Sequence, residues 1–269
     1  MNGYIGRCAG CSDTMGMFVN FAGRDNANFN NSFRLYWRCI HNPCMLAFGV
    51  GLFRFKGNMK IYTIHSESHN YLFDIMRDSL KVCRHYELIS KTTKQVSKTG
   101  NYDADDIRNF WYLKVLYILE ILHTETEPFL FSDVDMCFFR DFTQDLEVRL
   151  MFNDIVMQFE KMTFGLFPTG CAGFMYMKPN KKMKDAFIWV LKNLHKYPSD
   201  QQALNAYLYR SWVEVAFLPK TYYSINYDNN DKVWNGEDVN VTIKNPYLVH
   251  LHWTIGKENR LKLLNLVKK

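Results

Sequence analysis

Two carboxylates set two residues apart, Asp133 and Asp135, stand inside the otherwise apolar run Phe129-Leu-Phe-Ser-Asp-Val-Asp-Met-Cys-Phe-Phe139. In an extended backbone residues i and i+2 project to one side. Both acids therefore face a single crevice at the carboxyl end of a strand, where open α/β sheets bind ligands. Like charges held this close need a cation, and unpaired carboxylates among apolar neighbours would be costly. Oxygen donors without a nearby cysteine pair suit Mg²⁺ or Mn²⁺, ions that usually keep coordination positions for substrate phosphates. In a polar stretch the same spacing would mark only a solvated turn, and the apolar residues on both flanks argue against that here.

The strand ending at this pair must be positioned by what precedes it. Asp103 to Asp106 offer capping carboxylates for a helix whose apolar residues Ile107, Phe110, Trp111, Leu113, Val115, Leu116, Ile118, Leu119 and Leu122 are nearly continuous, which predicts burial on most sides. Pro128 then leads into Phe129-Leu-Phe131, an apolar strand of the kind covered on both faces in a parallel sheet. Upstream, Lys60 to His65 reads as a strand and Tyr71 to Leu80 as a helix, a βα unit. Downstream, strands are expected at Ile155 to Phe159, Gly173 to Met177, Val213 to Leu218 and Tyr247 to His250. Helices are expected at Lys181 to Leu194, at Asp200 to Tyr209 and in a basic C-terminal segment, with a polar loop from Asn226 to Asp238. The order is that of an α/β domain.

Residues 1–58 differ from the rest: they hold no Glu, eight Asn and no sustained helical or alternating period. They are expected to be a poorly ordered N-terminal extension or an upstream segment, with Met59 the functional start of a domain over residues 59–269. Cys8 with Cys11 and Cys39 with Cys44 could form a tetrahedral zinc site, but the long gap between the pairs favours free thiols. Seven cysteines scattered over 269 residues read as reduced thiols, which with no secretory signal pattern makes a soluble cytoplasmic protein the expectation. Hydrophobic residues at 48% and aromatics at 16% provide a sizeable core. Formal charge is +6, of which residues 1–58 contribute +4: six basic groups against Asp13 and Asp25. The near-neutral remainder has no dense basic stripe, which argues against nucleic acid as partner. The longest apolar stretch, Met45 to Phe53, falls well short of the roughly 18 residues a membrane span needs.

Four blocks in order, Ser132-Asp-Val-Asp-Met-Cys-Phe-Phe-Arg-Asp141, Thr169-Gly-Cys-Ala-Gly-Phe-Met-Tyr-Met-Lys-Pro179, Ser199-Asp-Gln-Gln-Ala-Leu-Asn205 and His250-Leu-His-Trp-Thr-Ile-Gly-Lys-Glu258, carry a likeness. Together they resemble the nucleotide-diphospho-sugar transferases of the GT-A fold, glycosyltransferase families 77 and 8 above all. The compact length also looks like the sugar-transferring domains of large DNA viruses, which would make the chain virus-encoded. The resemblance implies a single GT-A-type α/β domain: a Rossmann-like, mostly parallel central sheet flanked by helices. It implies transfer from a nucleotide-diphosphate sugar, a UDP-sugar first, to a hydroxyl of a glycan, glycoprotein or lipid. By the same likeness Asp135 is the direct ligand of Mn²⁺ or Mg²⁺, and Asp133 contacts donor ribose and metal shell. His250, or alternatively His252, is the ligand on the far side of the cation. Lys257 would neutralise the diphosphate leaving group.

The remaining candidates have plainer alternatives. Gly170, Ala172 and Gly173 let backbone approach a bound sugar, or form a β-bulge. Asp200 and Gln201 open a helix and can face the sugar hydroxyls as catalytic residues, though Asp200 also suits an N-cap. Lys114 is placed to reach a donor phosphate or else is an exposed helix lysine. Thr63 and His65 end the first strand on the nucleotide side of such folds. Families 77 and 8 retain anomeric configuration with no obligatory protein base; an inverting enzyme would need one, Asp200 first and Glu160 second. Two rivals stay open: a haloacid-dehalogenase-like phosphatase, whose nucleophile strand also ends in Asp-x-Asp, and a nucleic-acid-binding module built on residues 1–58. The leucine-rich, lysine-rich C-terminus could lie on an anionic membrane surface as a peripheral contact, or dock on the domain.

Overall fold

The computed structural model describes residues 15–19, 35–39, 57–94, 104–163, 167–230 and 232–267. β1 (Met15–Val19) and β2 (Leu35–Cys39) form an antiparallel pair of their own, Met15 opposite Cys39. Cys8, Cys11 and Cys44 lie outside the described residues, as does most of the expected extension.

From Gly57 on, strands and helices alternate as the sequence leads one to expect. The first βα unit is β3 (Met59–Ser66) and α1 (Asn70–Ser79). It is followed by β4 (Tyr86–Thr93), α2 (Ala104–Thr124) and β5 (Phe129–Ser132). β6 (Met136–Phe138) and α3 (Thr143–Leu150) lead to the long strands β7 (Ile155–Thr163) and β8 (Phe167–Met177). Then come α4 (Lys181–Asn193), α5 (Asp200–Leu208), β9 (Val215–Leu218), β10 (Tyr222–Ser224), β11 (Leu248–His250) and α6 (Lys257–Val267). No helix among the described residues is long and apolar enough to cross a membrane.

The central sheet has the order β4-β3-β5-β8-β7-β9. Pairings of β3 with β4 and β5, and of β7 with β9, are parallel; β8 runs antiparallel to both its neighbours. β5 explains the sheet's double burial. Leu130 joins a core with Leu72, Met76 and Tyr176, while Phe129 and Phe131 join another with Ile118, Leu122 and Phe187. Each fully buried side chain of this kind contributes about 1.5–3 kcal/mol. α2 is less enclosed than its composition suggests. Val115, Ile118, Ile121 and Leu122 are buried, but Leu113 and Leu116 are 40% and 49% exposed, so one face meets solvent. The expectation of a helix buried on most sides is corrected to that extent: a helix packed on one layer always presents its far side outward.

A smaller sheet, β10-β11-β6, sits beside the first. β11 pairs antiparallel with β6, His250 opposite Met136 and Leu248 opposite Phe138. Residues 248–250 are thereby held beside the segment that carries the two acids. β7 and β8 pair irregularly: Met157 faces Met175 but Gln158 faces Cys171, so Ala172, Gly173 and Phe174 bulge out of the ladder. A second shift leaves Glu160 as the extra residue on β7, between the pairs Phe159 with Gly170 and Lys161 with Thr169. Bulges re-aim side chains next to functional sites, and both of these do so here.

Candidate active site

The Asp133-Val-Asp135 segment bridges the two sheets. Asp133 N–H donates to the Gly173 carbonyl of β8 at 2.7 Å, and the Asp135 carbonyl accepts from Leu251 N–H, just past β11, at 2.7 Å. The first acid is thus tied to the central sheet and the second to the small one. His250 follows directly: its Nε2 lies 3.1 Å from Asp135 Oδ1. Donor atoms of Asp133, Asp135 and His250 all lie within 4.8 Å of one another. Two ligands about 2.1 Å from an octahedral ion and at right angles are roughly 3.0 Å apart, so the spacing of Oδ1 and Nε2 fits a small divalent cation.

His252 is directed elsewhere. Its Nε2 meets Glu160 Oε2 at 3.1 Å and its Nδ1 lies 3.4 Å from Ser224 Oγ. Glu160 accepts with its other oxygen from Trp253 Nε1 at 2.6 Å. Trp253 itself has a φ of +61°, a region that bulky residues rarely adopt, and its carbonyl accepts from Trp234 N–H at 2.7 Å. Burial pushes the Glu160 carboxyl up, yet His252 and the Trp253 bond outweigh it and hold the group down at about 2. Cys171, His250 and His252 form a second close group. Burial pushes the Cys171 thiol far up, and Glu160 acts in the same sense.

Lys114 is buried, not exposed. Only 4% of the residue is accessible, and its ammonium lies 2.9 Å from Asp133 Oδ1 and 3.2 Å from Asp200 Oδ2. Burial and the neighbouring carboxylates of Asp135 and Asp200 push the Asp133 carboxyl up to about 6 against the pull of Lys114. Asp135 is the more firmly ionised of the pair: burial raises it, but the facing His250 in its protonated form, with Arg260 and His252, reverses this and carries it well below the ordinary range. Burial holds His250 down at about 4, and the His252 charge acts in the same sense.

On the β8 side, Gln201 Oε1 accepts from Ala172 N–H at 3.1 Å. Asn205, one turn further along α5, grips Gly170 at both its N–H and its carbonyl, 2.8 and 2.7 Å. Gly173 lies so close to the acids that a Cβ there would stand 2.7 Å from His250 Cε1 and 2.8 Å from Asp133 Oδ2. Both sequence readings of this stretch, bulge and close approach, describe the same backbone. At the end of β3, Thr63 Oγ1 and His65 Nδ1 are buried with no hydrogen-bond partner, while His65 stacks on Phe73 at 4.7 Å and meets Asn70 Oδ1 at 3.1 Å. Lys257, exposed at the start of α6, lies over the Tyr71 ring at 4.9 Å. Arg260, one turn on, donates to Tyr71 Oη at 3.2 Å and its charge reaches Asp135 and His69. Sequence reasoning passed over Arg260, Gln158 and Asn205. Gln158 and Asn205 did leave a signal, a lone amide in an apolar strand and the last residue of a motif block.

No curated protein matches the sequence. By structure, the chain is similar to the glycosyltransferase GlyE of Streptococcus pneumoniae TIGR4, at TM-score 0.52 and 16% identity over 76% of this chain and 56% of that one. It spans little more than half of that protein's length. It is also similar to the galactosyltransferase LgtC solved with donor and acceptor sugar analogs (TM-score 0.51, 12% identity, 78% and 97% covered). A glycosyltransferase involved in glycosylation of the major capsid of PBCV-1 superimposes at TM-score 0.54 and 10% identity, with 77% and 99% covered. These likenesses are of fold. The profile of one family extends over residues 77–264, more than half the sequence and across all four motif blocks. The chain belongs to the nucleotide-diphospho-sugar transferase family.

Proposed function

We propose that the protein transfers a sugar from a nucleotide-diphosphate donor, a UDP-sugar first, to a hydroxyl of a glycan, glycoprotein or lipid acceptor. The observation that carries this is the convergence of Asp133, Asp135 and His250 within 4.8 Å at the junction of the two sheets, in a chain of this family. Asp135 and His250 would hold Mn²⁺ or Mg²⁺, with Asp133 at the metal shell and donor ribose. When bound, the cation supplies positive charge where the diphosphate leaves.

The protein's own residues divide the rest. Lys257, and Arg260 beside it on α6, would offset the charge of the leaving diphosphate. Gly173 leaves room for the sugar against the acids, and Asp200 and Gln201 face its hydroxyls with Lys114 fixing Asp133 and Asp200 together. Thr63 and His65 bring unpartnered polar atoms to the base side. In the reaction the acceptor oxygen bonds to the anomeric carbon, the bond from that carbon to the diphosphate oxygen breaks, and the acceptor proton leaves with the nucleoside diphosphate. Asp200 is paired with Lys114, and Glu160 uses both oxygens on His252 and Trp253. With both candidate bases committed, retention of configuration is the favoured course. The buried thiols Cys83, Cys137 and Cys171 suit a cytoplasmic setting. The family match weighs against the phosphatase and nucleic-acid readings.

A thermal-shift panel of nucleotide sugars with and without Mn²⁺ tests the proposal: a true donor should raise Tm only when the ion is present. No shift with any donor, or an equal shift for Asp135→Ala, would overturn it. Proton NMR of the product then reads the anomer.

A further inference from the structure

We propose that Gln158 is a positioning residue: it keeps the ring hydrogen of His250 on Nδ1 and so leaves Nε2 as the lone-pair atom aimed at Asp135. The inference draws on the proposed function only for the use made of that lone pair. Gln158 is wholly buried on β7, at the register shift where the bulge of β8 opens. Its side-chain nitrogen lies 3.0 Å from the Tyr222 carbonyl and 3.3 Å from the Tyr223 carbonyl. Carbonyl oxygens only accept, so the amide NH₂ must face them and Oε1 must face the other way. On that side it meets His250 Nδ1 at 2.7 Å. An amide oxygen cannot donate either, so Nδ1 carries the hydrogen. Turning the amide over would set Oε1 against two carbonyls and lose both donations. The thiol of Cys171 also reaches Nδ1, at 3.7 Å, but sulfur is a weak acceptor and a weak donor beside an amide oxygen at 2.7 Å.

A neutral imidazole with its hydrogen on Nδ1 has only a lone pair on Nε2, 3.1 Å from a carboxylate oxygen that also only accepts. Two acceptors at that distance repel unless something positive lies between them. Gln158 thereby presents His250 to a cation and turns it away from a simple hydrogen bond with Asp135. Metal-binding histidines owe their ring orientation to such partners.

The test uses the full chain, ¹⁵N-labelled and metal-free at about pH 8, with long-range ¹H–¹⁵N NMR of His250 and Mn²⁺ titration followed by EPR. Wild type should show a hydrogen-bearing Nδ1 and a lone-pair Nε2. Gln158→Met keeps the shape and removes the acceptor; His250 should shift its hydrogen to Nε2, donating to Asp135, and Mn²⁺ affinity should fall about 10- to 100-fold. A wild-type His250 carrying its hydrogen on Nε2 overturns the inference whether or not the variant folds. So does a folded variant with unchanged ring signals and Mn²⁺ affinity within about twofold of wild type. Failure of sugar transfer with the Nδ1 signature and the Mn²⁺ loss both present would refute the transferase reading alone and leave Gln158 supported.

Discussion

Removing an ammonium from water costs several kcal/mol unless carboxylates offset it, and Lys114 faces two, Asp133 and Asp200. Burial alone would lower its pKa, yet these acids carry it above the ordinary lysine value. Lys114→Ala should therefore cost roughly 3–5 kcal/mol in urea denaturation, because it strands two like charges, Asp200 buried and Asp133 partly so. Adding Asp200→Asn should recover part of that loss, which distinguishes lost charge pairing from lost packing. Gly173 acts by space alone. Gly173→Ala should leave far-UV circular dichroism unchanged while weakening Mn²⁺ binding at least about tenfold in an EPR titration, since its methyl would press on both His250 and Asp133. An unaltered affinity would show that the acids yield easily. The aspartate pair was legible because charged residues inside an apolar run demand an explanation. Lys114 was legible in principle, since its spacing to Ile118 and Ile121 puts it on the buried stripe of α2. A lysine's ordinary place is nonetheless the surface, and only the fold reveals the two acids it meets.

At the scale of elements, the strands and helices with sustained apolar periods were readable, and the short ones were not. β4 is a partly exposed edge strand, TyrGluLeuIleSerLysThrThr, with no apolar run to mark it. β6 and β10 are three residues each and acquire their structure by pairing with β11, which no local pattern announces. β3 is anchored at its start by a clamp equally invisible in sequence. Lys60 Nζ lies 2.9 Å from Glu125 Oε2 and Tyr62 donates its hydroxyl to Oε1 at 2.5 Å, joining β3 to the turn after α2. Burial pushes the Glu125 carboxyl up, but these two partners outweigh it and hold it below the ordinary value of 4.5. A depressed carboxyl contributes stability that is fully present above the unfolded pKa and disappears as pH falls through the folded one. With Lys60 side chain 40% exposed, solvent screening keeps the effect near 1 kcal/mol. Glu125→Gln should accordingly lower Tm at about pH 7, and the gap between variant and wild type should close as pH drops below 4.5. A gap that persists in acid would assign the clamp to packing.

For the whole molecule, the decisive relation is between distant parts of the chain. Asp135 and His250 are separated by 115 positions, and they meet only because β11 returns to pair with β6 across the small sheet. An unfolded chain holds no such pair in register, so a cation bound by both residues favours the native state alone. Linkage then sets the size of the effect: at a hundred times its dissociation constant, Mn²⁺ should add about 2.7 kcal/mol to the unfolding free energy. For a domain of this length that is a rise in Tm of roughly 5–10 °C, each kcal/mol moving the midpoint by about 2–4 °C. Asp135→Ala should abolish the rise while remaining folded, because the aspartate's backbone carbonyl, which accepts from Leu251 N–H, is kept. Leu263→Ala, which loosens α6 from the core where Leu263 is fully buried, should lower Tm with and without the ion by the same amount, since it removes packing and leaves the ligands in place. Differential scanning calorimetry of the three proteins, each with Mn²⁺ and with chelator, separates these outcomes. A Mn²⁺-induced rise that survives in Asp135→Ala would place the ion elsewhere and remove the physical basis for joining the two sheets into one catalytic centre.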